Sequence, residues 1–145
     1  PVLSNEIPLT IPGETLLPSG RSITATVLDR KKAGYKKPEH GPFTACFDLD
    51  KTGTELRVRS RHAGDRFQPL GMSQPKKLNQ YMIDAKIPRA WRERVPIISS
   101  PQHILWVVGW RIDDRVKVSE DTGRILCLKF KHENKTWQTN WNLLH

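Results

Sequence analysis

Eleven prolines are spread through the 145 residues, and they limit what this chain can build more than any other feature. Proline removes a backbone donor and interrupts helices and central strands alike. Long helices are therefore disfavoured, and short apolar runs between turns remain as the material for a core. The length suits one domain with one core. The hydrophobic fraction of 37% is low, but it falls in short runs, as in a folded module rather than a disordered tail.

Taken in order, Ile7, Leu9 and Ile11 alternate ahead of a Pro12-Gly13 turn and read as an entry strand. Residues 22–28 alternate with Ile23, Ala25 and Val27 on one side, and residues 29–42 are a basic, unpatterned loop. Residues 43–49 read as a strand, with a turn at 48–53 and residues 55–61 as its returning hairpin partner. Pro75 suits the first position of a helix, capped by Ser73 or Gln74. At 100° per residue Leu78, Tyr81, Met82 and Ala85 share one arc, with Lys76, Lys77, Gln80 and Asp84 on another. That predicts an amphipathic helix of about three turns, ended by Ile87-Pro88 and followed by a second helical turn at 89–94. Strands resume at 97–99, 104–108 and 125–131, with a charged connector at 111–118. The expected fold class is α+β, mainly β: a small layered β-sandwich or barrel-like domain with one amphipathic helix and a short second helix inserted between strand groups. Residues 1–10 are expected to be a linker or entry segment and residues 11–145 a single domain. The first residue is Pro1 rather than methionine, so a piece of a longer polypeptide is expected.

Charge is distributed unevenly. The net charge is +9, and residues 57–94 hold ten Lys/Arg against three acids, whereas the other 107 residues hold 14 basic and 12 acidic groups. Charging for solubility alone would not concentrate the excess in a quarter of the length. On a strand, Arg57, Arg59 and Arg61 share a face opposite Leu56, Val58 and Ser60, about 6.7 Å from one to the next, which makes a ladder for a polyanion. Any one of these arginines reads equally well as part of a solvated face. Ten cations interleaved with Phe67, Tyr81 and Trp91 favour a nucleic acid, since phosphates need cations and exposed bases stack on rings. No apolar run approaches the roughly 20 residues that cross a bilayer, and no signal-peptide pattern opens the chain, so a cytoplasmic location without membrane association is expected. Leu78, Met82, Trp106 and Val107 read as core. Trp110, Trp137 and Trp141 read as core or as an apolar face for another domain.

Catalytic patterns are missing: no Walker loop, G-x-G-x-x-G, G-x-S-x-G or H-E-x-x-H is present. His40, His62, His103, His132 and His145 show no metal-ligand spacing with the two cysteines. Cys46 and Cys127, 81 residues apart in apolar runs, read as buried free thiols. Asp48-x-Asp50 offers two carboxylates to Mg²⁺ but is also an ordinary acidic turn. Asp65, a lone carboxylate among arginines, reads as a turn cap or as a group that orients an arginine.

The strings Leu56-Arg-Val-Arg-Ser-Arg61, Gly64-Asp-Arg-Phe-Gln-Pro-Leu-Gly-Met72 and Lys76-Lys-Leu78, followed by Asp84-Ala-Lys-Ile-Pro-Arg89, Arg92-Glu-Arg-Val-Pro96 and Ile104-Leu-Trp-Val-Val-Gly109, resemble the C-terminal domain of bacterial tRNA(Ile)-lysidine synthetase. The resemblance extends from about Ile11 to Phe130. It implies a three-layer β-sandwich with helices, similar to a domain of the phenylalanyl-tRNA synthetase β chain. It also implies a ligase that uses ATP to adenylate the wobble cytidine of an isoleucine tRNA with a CAU anticodon and then attaches lysine. The chemistry, with its ATP and Mg²⁺, would belong to an N-terminal catalytic domain carrying an S-G-G-x-D-S loop that is absent here. No cofactor is expected in this chain. Its implied role is to hold tRNA at the acceptor-stem region, with Arg59, Arg61, Arg66, Lys76, Lys77, Arg89 and Arg92 on phosphates and Phe67 stacking or supporting the turn. The alternative is a structural module that docks on its own catalytic domain or on a second copy as a homodimer, through its tryptophan-rich ends.

Overall fold

A computed structural model of the chain describes residues 6–39 and 41–131. The expectations for residues 1–5, His40, His132, Trp137, Trp141 and His145 lie outside the described residues. Two four-stranded antiparallel sheets form the frame. The first takes β1 (Ile7–Pro8), β5 (Arg57–Arg59), β8 (Ile97–Ser99) and β9 (Ile104–Val107), in that order. The second takes β2 (Gly13–Leu16), β3 (Ser22–Asp29), β10 (Arg124–Lys131) and β4 (Thr44–Asp48). A two-stranded ribbon, β6 (Arg66–Phe67) with β7 (Lys76–Lys77), stands beside the frame. Three short helices, α1 (Leu49–Thr52), α2 (Leu78–Asp84) and α3 (Arg89–Arg92), complete it.

Three layers follow from how the strands alternate. Ile23, Ala25, Phe47, Val58, Ile98, Trp106, Leu126 and Leu128 meet between the two sheets. On the far side of the first sheet Ile97, Ile104 and Val107 pack under Phe67 and the Leu78, Tyr81 and Met82 stripe of α2. Strands β8 and β9 are thus covered on both faces, which is why they read as unbroken apolar runs rather than alternations. Each fully buried aliphatic or aromatic side chain here contributes about 1.5–3 kcal/mol relative to exposure. The fold is α+β and mainly β, with α2 and α3 inserted between the strand groups, as the periodicity predicted.

Two expectations change, the first and third below, and two open readings narrow. The hairpin between residues 43–49 and 55–61 does not form: β4 pairs with β10 in the second sheet while β5 lies in the first. The cause is local, because Asp48 caps α1 by accepting from Asp50 N–H and Gly53 ends it at φ +67°. A helical turn thereby carries the chain from one sheet to the other. Second, of the linker and entry-strand readings, residues 7–9 follow the entry strand, since Ile7 pairs with Val58 and Leu9 is buried in the main core. Third, α2 begins at Leu78, so it runs for about two turns, because Lys76 and Lys77 are taken up by the ribbon. Fourth, the Asp48 carboxylate is already engaged, Oδ1 by Asp50 N–H and Oδ2 by the Thr122 hydroxyl at 2.8 Å, and Asp50 pairs with Arg124. Among the described residues no group of three or more His, Cys, Asp or Glu side chains is placed to hold a metal ion.

Cys46 and Cys127 are free buried thiols, as expected. They face each other in register across β4 and β10 with their Sγ atoms 2.8 Å apart.

Candidate nucleic-acid interface

The cation-rich stretch leaves β5 in an unexpected form. Only Arg57 projects as a strand ladder requires; it is exposed with no ion pair among the described residues. Arg59 is buried, 8% exposed, and its guanidinium grips Asp65 in a two-pronged contact of 2.9 and 3.0 Å. It also donates to Ser60 O and Ser99 Oγ and lies 3.6 Å from Glu6. Arg61 pairs with Glu93 at 2.6 Å and donates to Asn79. The expected ladder of three guanidiniums is corrected to one exposed arginine and two engaged ones. The reason is that the carboxylates lie far along the chain or beyond a turn, where strand periodicity cannot register them.

Asp65 is what orients Arg59. Its Oδ2 also accepts the His62 N–H at 2.7 Å, so one carboxylate closes the 62–65 turn and fixes a guanidinium. That turn delivers the chain into β6. Across the ribbon Arg66 stands directly opposite Lys77, and Phe67 opposite Lys76. Arg66 and Lys77 are exposed, and neither has an acidic partner among the described residues; Arg66 makes only a 3.4 Å contact to Pro75 O. Directly opposed like charges on an antiparallel pair are destabilising, with Cβ atoms about 5 Å apart. Phe67 holds this arrangement in place. It is fully buried and packs edge-on against Tyr81 at 5.1 Å, so it supports the turn rather than offering a stacking surface.

Between the 61–65 turn, Lys77 and the start of α2 lies an open groove of about 540 Å³, edged by Arg61, His62, Lys77, Asn79 and Glu93. Lys76, on the neighbouring position, is turned the other way and pairs with Asp84 at 2.6 Å. That contact, with a second from Gln80, holds the Asp84 carboxyl below the usual carboxylate range. Arg89 is exposed on α3 without an ion pair among the described residues. Arg92 folds back and donates to Ile87 O at 3.0 Å, tying α3 to the end of α2. Of the seven predicted cations, the structure thus presents Arg66, Lys77 and Arg89 outward without an ion partner, holds Arg61 and Lys76 in exposed pairs, and assigns Arg59 and Arg92 to scaffold contacts.

The sequence reading missed the residues that set the loop between β6 and β7. Asp113 is fully buried and accepts from Gln68 N–H at 3.0 Å and from the Arg115 backbone and guanidinium. Asp114 accepts from Gly71 N–H at 3.0 Å and from Lys117, and these contacts hold its carboxyl below the usual range. The charged connector therefore clamps residues 68–71 and fixes where the ribbon returns. The available signal was the adjacent aspartates before a basic run, a pattern suited to capping and turn bonds.

Among the described residues no helix is long and apolar enough to cross a membrane. Comparison with known proteins is consistent across three kinds of match. A family profile described as the TilS substrate C-terminal domain matches residues 56–128, half of the chain. A tRNA(Ile)-lysidine synthase of Dehalococcoides mccartyi (strain CBDB1) is 54% identical over 89 residues, covering 61% of this chain and 19% of that protein. A crystal structure of a TilS C-terminal domain matches with a TM-score of 0.72 and 30% identity, covering 90% of this chain and 98% of that one. The fold alone is shared with an N-terminal fragment of the phenylalanyl-tRNA synthetase β-subunit from Pyrococcus horikoshii, at TM-score 0.50 and 15% identity over 60% of this chain and 27% of that one. The chain spans about a fifth to a quarter of the length of the curated relatives it matches.

Proposed function

Because the chain belongs to the TilS substrate C-terminal domain family, we propose that it is the tRNA-docking part of a longer ligase that attaches lysine to the wobble cytidine of an isoleucine tRNA with a CAU anticodon. The catalytic domain of that ligase, with its ATP and Mg²⁺, precedes this chain. The present domain holds the acceptor-stem region while chemistry proceeds at the anticodon.

The observation that carries this reading is the Arg66 and Lys77 pair. Two exposed cations held face to face by a buried phenylalanine repel one another until an anion sits between them, and a phosphate backbone supplies that anion. Arg57 and Arg89 are further exposed cations without an ion pair among the described residues, and the groove beside Lys77 adds Arg61, His62 and Asn79 as donors. These groups suit phosphate and sugar contacts. A helical stem displays mainly shape, phosphates and 2′-hydroxyls, so such a surface checks form more than sequence.

Titration of this chain with a tRNA transcript at rising salt tests the reading. The expected result is binding on the order of micromolar or weaker that falls steeply as salt rises. Absence of binding at the lowest salt overturns it.

A further inference from the structure

On another face of α2 lies a second hollow, of about 630 Å³. Asn79 edges the first groove and Tyr81 the second; two residues apart on a helix, they point about 200° away from each other. The second hollow has aromatic and thioether walls, Tyr81, Trp110 and Met72, and a polar rim of Lys76, Asp84 and Arg111. Its volume is in the range that encloses a small organic group. Met72 is 47% exposed, one of few large apolar side chains left open to solvent. Lys76 links the hollow to the ribbon, being the chain neighbour of Lys77 and the cross-strand partner of Phe67.

We propose that this hollow receives one unstacked nucleotide of a bound RNA, its base against Trp110 and Met72 above the mostly buried Tyr81 and its phosphate between Lys76 and Arg111. The proposal deepens the RNA-docking reading and rests on it. Flat rings beside cations are the combination that single-stranded nucleotides require, since every base has a face to stack and every linkage a charge to neutralise. With two cations and one carboxylate the rim has a net positive charge, which complements a phosphodiester. Burial pushes the Tyr81 hydroxyl up to about 12, against a smaller opposing pull from the Arg111 charge. It therefore stays protonated through physiological pH. Without RNA the rim is self-satisfied: Lys76 Nζ lies 2.6 Å from Asp84 Oδ2, and Arg111 Nη1 donates to Leu70 O at 3.3 Å. Entry of a nucleotide exchanges these exposed contacts for phosphate contacts.

The experiment uses the chain with hexauridylate and hexaadenylate carrying one 4-thiouridine, a blunt RNA duplex and the tRNA transcript. Expected are photocrosslinks from the single strands to the peptides holding Met72 or Trp110. Met72→Glu should weaken single-strand binding roughly tenfold, a typical value for loss of one stacked base together with rim repulsion, and change duplex binding about twofold or less. Ile83→Glu adds the same charge at an exposed site on α2 that does not line the hollow, and it should leave single-strand binding within about twofold, the long-range effect of one screened surface charge. Equal effects of the two variants, or tRNA binding while the single strands give no crosslinks at the hollow, overturn the nucleotide site while the docking reading stands. Failure of tRNA to bind while single strands still crosslink at the hollow overturns the docking reading instead. Failure of both overturns both.

Discussion

Strand β5 and the β6–β7 ribbon lie within twenty residues of each other, carry the same kind of charge, and use it oppositely. In β5 the guanidinium of Arg59 is enclosed and bound by Asp65, with Ser99 and Glu6 around it. In the ribbon Arg66 and Lys77 face each other in the open. The difference teaches that cation density along a sequence measures neither surface potential nor binding capacity. A cation that finds a carboxylate within the fold serves the fold, and only the remainder is available to a ligand.

The contrast is most easily broken at Arg59. Replacing it with methionine leaves the largely buried Asp65 carboxylate without its partner, and loss of one member of an enclosed pair costs about 3–5 kcal/mol. Denaturant unfolding should show a loss of that order, whereas Arg66→Gln should shift stability by less than about 0.5 kcal/mol. Equal losses at the two sites would erase the distinction. Next in size, Arg66→Gln and Lys77→Gln should each weaken tRNA binding about fivefold and lower the steepness of its salt dependence by roughly one counterion. Binding isotherms at several salt concentrations read both quantities, and an unchanged slope would show that the ribbon does not touch phosphate.

Lys76 gives a smaller test, because it sits between the two classes. Asp84→Asn should free it and raise RNA affinity about twofold, on the scale of an exposed ion pair; a decrease would mean that Asp84 itself contacts the RNA. The smallest effect concerns pH. The Gly71 N–H and Lys117 hold the Asp114 carboxyl below its ordinary value. A carboxyl depressed on folding stabilises above its unfolded value, near 4, and that contribution is lost as pH falls through the lower folded value. Asp114→Asn should therefore flatten the acid limb of stability below about pH 4 and leave neutral pH almost unaltered in slope. A steeper acid limb would contradict the clamp.

Periodicity along the chain determined much of this protein. The apolar stripe of α2 came from spacing alone, because a helix repeats its faces regardless of what covers them, and Leu78, Tyr81 and Met82 do line the buried side. Strands β3, β8, β9 and β10 were legible for the same reason, as was the burial of both cysteines. Tertiary structure decided three other matters. It split the expected hairpin, since β4 pairs instead with β10, where Cys127 stands opposite Cys46 across 81 residues of sequence. It placed Asp113 and Asp114 under the β6–β7 loop, a contact across more than forty residues. Above all it sorted the cations, because whether a guanidinium is available depends on which carboxylates the fold brings within about 3 Å of it. Local spacing carries the faces of each element; it carries no information on what stands opposite them.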